Sequence, residues 1–166
     1  MDAWLDATLK AVHVLAVVFW VGGMVFAHFV LRPSLEASGL EGPQRLRLMR
    51  EVLRRFLRAV AVAVALVLVS GAWMVERAVS MVDATGGRFM MPWSWQVMTA
   101  LGLAMTAVYV WVRLRWFAAM ERALDAGQPP AAAAALAQVR RWVGVNIVLG
   151  LVVVAEAVAA APSPRR

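Results

Sequence analysis

Apolar residues run in four long stretches along the chain, and polar residues gather between them. The stretches cover residues 11–31, 59–75, 97–112 and 142–161. A helix that crosses a bilayer needs ~20 mostly apolar residues. The third stretch is the shortest, and Trp93 and Trp95 extend it into the membrane interface. Nothing alternates with period two, so helices are the expected way to satisfy the backbone in lipid. The pattern predicts an all-α polytopic membrane protein, a four-transmembrane-helix bundle forming one domain.

The connections carry their own pattern. After Gly42-Pro43, Leu46, Met49, Leu53 and Phe56 recur at helical spacing. No Gly or Pro interrupts 44–58, so this stretch is expected to be a helical extension running into the second span. The third span is expected to continue over 113–125. Gly127 to Pro130 then breaks it, and Ala131 to Ala135 restarts a helix that feeds the fourth span. The segment from Glu76 to Pro92 is a short outer loop, and 162–166 reads as a disordered tail. The acidic start Met1-Asp2 and the length of the first span point to a retained helix rather than a cleaved signal peptide.

Composition agrees with this reading, since 63% of the 166 residues are hydrophobic. The absence of cysteine excludes disulfides and thiolate chemistry. Two histidines cannot build a multi-histidine zinc site. The formal charge of +7 would suggest nucleic acid on a soluble protein, but no recognition motif accompanies it. Topology explains it instead. Twelve of the 17 basic residues fall in the two loops after spans one and three, and five fall on the other side. The positive-inside rule puts those loops in the cytoplasm and both termini outside. The partners expected are the lipid bilayer and a homo-oligomer or larger membrane complex, with no nucleic acid.

Four polar groups fall at bilayer depth, where each is a functional candidate. His13 and His28 lie on span one, Asn146 and Glu156 on span four. Antiparallel depth would pair His13 with Glu156 and His28 with Asn146. The histidines are fifteen residues apart, roughly 22 Å along the helix, so one metal cannot take both. Val17, Trp20, Met24 and Ala27 share their arc, which is expected to face the bundle. Each histidine could equally serve a plain interhelical hydrogen bond. Met74, Met81, Met90, Met91 and Met98 lie on the same side as His13. Thioethers suit Cu(I), and imidazole can join them. The candidate metal set is therefore His13 with Met74, Met90, Met91 and Met98, although apolar filling accounts for the methionines equally well. Every span contains Gly, which allows close helix packing or a flat cofactor against the backbone.

The run Lys10-Ala-Val-His13, with Trp20, Gly22-Gly23 and the closing Arg32-Pro33, resembles the first helix of the copper-resistance D (CopD) family. Arg54-Arg55-Phe56 and Asn146-Ile-Val-Leu-Gly150 are similar to that family too. The resemblance implies an inner-membrane protein handling copper at the periplasmic face. The first-helix pattern is also similar to HemJ-type protoporphyrinogen oxidases. That resemblance implies a b-type haem with His13 as axial ligand and Trp20 and Gly23 beside it. The chain departs from that pattern at Trp95-Gln96-Val97-Met98, where those proteins carry a Lys, and at Ile147 after Asn146. A third reading is a cofactor-free accessory subunit. No Ser-His-Asp set can be assembled, so an enzyme here would be a haem-dependent oxidoreductase.

Overall fold

The computed structural model describes residues 2–160, and the stretch 162–166 read as a tail lies outside them. Four helices are long and apolar enough to cross a membrane: α1 (Ala3–Glu36), α2 (Gly42–Asp83), α3 (Trp93–Asp125) and α4 (Pro129–Ala159). There is no strand among the described residues, and the protein is an all-α membrane-spanning bundle. The helices are longer than the apolar stretches. α1 starts well before Ala11, because Trp4, Leu5 and Leu9 continue its apolar character outward.

Proline and glycine set the boundaries. Pro43, and the pair Pro129-Pro130, open α2 and α4, where a missing N–H costs nothing. Gly39, Gly86 and Gly127 take φ near +70° in the three connections, a left-handed conformation that side chains resist. Two short π-helical turns interrupt the pattern, Ala27–Leu31 in α1 and Val112–Phe117 in α3. Both lie toward the end where the arginines collect.

Packing is uneven. α1 packs most extensively against α2, and α3 against α4. One buried cluster joins Leu35, Met49, Leu53, Phe117, Met120 and Val139 at the Arg-rich end. A second joins Ala16, Trp20, Met24, Val60, Val64, Met105 and Ile147 near mid-bundle. Toward the termini, burial stops at Ala16 on α1, Ser70 on α2, Met105 on α3 and Gly150 on α4. Beyond those positions no described side chain is buried, so that end of the bundle is open.

Tyr109 ties α3 to α2 by donating its hydroxyl proton to the Leu57 carbonyl at 2.9 Å. At the Arg-rich end Glu121 of α3 accepts from Arg54 Nε at 3.0 Å and Nη2 at 2.9 Å. Arg50 adds Asp125 at 2.8 Å.

Candidate metal-binding site

α1 and α2 run antiparallel with a readable register. His13 meets Ser70, and Asp6 meets Arg77 at 3.5 Å, so seven residues on one helix match seven on the other. Glycine permits the approach. A Cβ on Gly71 would sit 3.5 Å from His13 Cε1, so the imidazole lies directly over the α2 backbone. Farther in, a Cβ on Gly23 would fall 2.5 Å from the Phe56 ring, while Gly22 faces open space.

His13 Nδ1 and Ser70 Oγ are 2.8 Å apart. Ser70 is 1% exposed, and its Oγ also contacts the carbonyls of Leu66 and Val67 on the preceding turn of its own helix. A hydroxyl has one proton, and a carbonyl can only accept. The Ser70 proton therefore goes back to its helix, and Oγ accepts from His13 Nδ1–H. With the hydroxyl proton placed that way, the imidazole tautomer is the one with its lone pair on Nε2. An imidazole held through one nitrogen by a hydrogen-bond acceptor is the arrangement that orients histidine ligands.

The partners differ from the depth-matched pairing. His13 takes Ser70 on α2, not Glu156 on α4, because α1 packs mainly on α2. Glu156 is half-buried near the open end of α4. Asn146 is 3% exposed and donates Nδ2–H to the Met24 sulfur at 3.6 Å, not to His28. Its Oδ1 is buried without a partner among the described residues. His28 sits in the π turn with its ring edge-on to Phe29 at 4.8 Å.

Met74 lies one turn outward from Ser70 on α2, between the two contacts that set the α1–α2 register. Met91 and Met98 are half-buried, and Met90 is 87% exposed in the segment before α3. α3 packs chiefly on α4, so helix packing does not carry Met98 to His13. No group of three or more His, Asp or Glu able to hold a metal occurs among the described residues. Any metal at His13 would thus rely on thioethers, which favours a soft ion. Trp20 is 3% exposed and meets Tyr109 edge-on at 6.4 Å.

Haem fits less well. A cofactor pocket is ~300 Å³ or more. The cavity beside Trp20 and Asn146 is about 20 Å³ and the cleft beside His28 about 50 Å³, and His13 lines neither. Gly23, which the haem alternative placed beside the cofactor, packs against the Phe56 ring.

The sequence reading missed Ser70 and Tyr109. Ser70 was visible as a lone hydroxyl in the apolar run Val69-Ser70-Gly71, four residues before Met74.

Among known families, residues 50–161 match the one described as copper resistance protein D. The match covers most of α2 and all of α3 and α4, including Ser70, Met74, Asn146 and Glu156. It leaves out α1, where the first-helix motif lies. No curated protein and no solved structure matches the chain.

Proposed function

The chain belongs to the copper resistance protein D family, and from that premise we propose that it binds copper as cargo at the open, termini-bearing end of the bundle. We place that end in the periplasm of a bacterial inner membrane, on the arginine distribution. His13 Nε2 is the anchoring donor, and Met74 is the thioether nearest in register. Met90 and Met91, in and at the end of the segment joining α2 to α3, are the soft donors through which copper would arrive.

The observation that carries this reading is the His13–Ser70 contact at 2.8 Å. With Ser70 Oγ accepting from Nδ1–H, the Nε2 lone pair is the one available to an ion. Cu(I) suits the chemistry, since one imidazole and thioethers form a soft, uncharged donor set.

The test is anaerobic Cu(I) titration of the purified full chain against a chromogenic chelator. Wild-type protein is expected to retain copper, and His13→Ala to lose it while staying helical and monodisperse. Equal retention by His13→Ala, or a Soret band in the protein as purified, would overturn the copper reading.

A further inference from the structure

A second feature sits at the opposite end, where the cleft of about 50 Å³ opens between α1, α2 and α4. Its floor is apolar: Met49 and Phe56 from α2, Val139 and Val143 from α4. Arg32 from α1 and Arg140 from α4 make the lining cationic, and His28 from α1 stands with them. The α1 contribution comes from the π-helical turn and the residue after it. Such turns are rare and concentrate at functional sites.

The charges of the lining are not balanced. Arg32 is held by Glu36 at 2.9 Å, and Arg140 reaches the same carboxylate only at 3.9 Å. One carboxylate thus serves two guanidinium groups. Arg140 Nε is buried without a hydrogen-bond partner among the described residues. Burial pushes the Arg140 pKa down, Arg32 and Arg45 push it the same way, and Glu36 alone opposes them. An anion there would meet an unsatisfied donor and relieve repulsion among arginines.

We propose that this cleft binds an anionic phospholipid, with the headgroup phosphate on Arg32 and Arg140 and an acyl chain against Met49, Phe56 and Val139. The combination of an orphaned guanidinium nitrogen and an apolar floor selects an amphiphile over a free anion. Planar guanidinium groups bind phosphate through paired N–H donors. The site lies at the membrane boundary of the Arg-rich face, where basic clusters recruit anionic lipid. This inference does not depend on the copper reading, since the two sites occupy opposite ends of the bundle.

Native mass spectrometry of the full chain, titrated with phosphatidylglycerol or phosphatidylcholine, tests it. Phosphatidylglycerol should be retained over phosphatidylcholine. Arg140→Gln should weaken its retention about fivefold, the effect of one interfacial arginine. Arg141→Gln, one residue on and exposed, should change it little. Inorganic phosphate at matched concentration should not compete. The proposal fails if Arg140→Gln retains phosphatidylglycerol like wild type, or if Arg141→Gln loses as much. It also fails if phosphatidylcholine binds equally, or if phosphate displaces the lipid and marks a free-anion site. Circular dichroism of each variant confirms that helicity is unchanged.

Discussion

At the scale of single residues, small groups decide what the polar ones can do. On the copper reading, the Ser70 contact orients His13 as a donor. Ser70→Ala removes the acceptor and frees the ring to populate the other tautomer, with Nε2 protonated. Loss of an outer partner of a metal ligand typically costs about 10–100-fold in affinity. The chelator titration should show a loss in that range, while stability falls by only ~0.6 kcal/mol, the mean for interhelical hydrogen bonds in lipid. Unchanged copper affinity in Ser70→Ala would refute the positioning role. The glycine pair gives a second contrast. Gly23→Ala drives a methyl into the Phe56 ring and should cost about 1–3 kcal/mol by overpacking. Gly22→Ala meets nothing within 4 Å and should be neutral or slightly stabilising by helix propensity. Thermal unfolding in one detergent distinguishes the two. His13 was legible in the sequence as an ionisable group at bilayer depth. Its partner was not, because depth alone ranks Glu156 and Ser70 equally and only the α1–α2 register selects Ser70.

At the scale of elements, α2 is the organiser. It runs 42 residues from the Arg-rich connection to Asp83, and it carries Phe56, Leu57 and Ser70, which meet α1 and α3. Helical periodicity made its continuity legible, since no glycine or proline breaks 44–58. The π turns were not legible, because a one-residue widening leaves no mark on hydrophobic spacing. Nor was the Glu121 junction, which needs the rotation of α3 relative to α2. Glu121 draws Arg54 and stands 3.9 Å from Arg113 Nη1, and the same helix faces give Arg50 to Asp125. Arg54 has its pKa raised, first by the hydrogen bond to Glu121 and also by Glu51 and Asp125. Glu121→Gln leaves three arginines around a neutral amide. The expected outcome is faster amide exchange across 113–125, with the open end of the bundle unaffected. Identical exchange in mutant and wild type would mean that Tyr109 and apolar packing hold the α2–α3 contact alone.

At the scale of the whole molecule, the two ends are built differently. The Arg-rich end has a buried cluster, ion pairs and two π turns, whereas at the end bearing the termini no described side chain is buried past Ala16, Ser70, Met105 and Gly150. Lipid-facing apolar surface is inexpensive in a bilayer, so a loose outer end can persist there where it would collapse in water. The four-span architecture was legible because length and hydropathy suffice for it. The asymmetry of packing was not, since composition is similar at both ends of each span. The proposed orientation rests on charge alone: twelve basic residues lie on the tight side and five on the other. Leu40→Cys, in the connection between α1 and α2, should resist an impermeant thiol reagent in intact cells and react after permeabilisation. Thr85→Cys, exposed just after α2, should react in both cases. The chain has no native cysteine, so each signal reports one position. Labelling of Leu40→Cys in intact cells, with Thr85→Cys protected, would invert the bundle. It would also put His13 and Met74 on the cytoplasmic side, and copper capture from the periplasm would then be untenable even if His13 binds the ion.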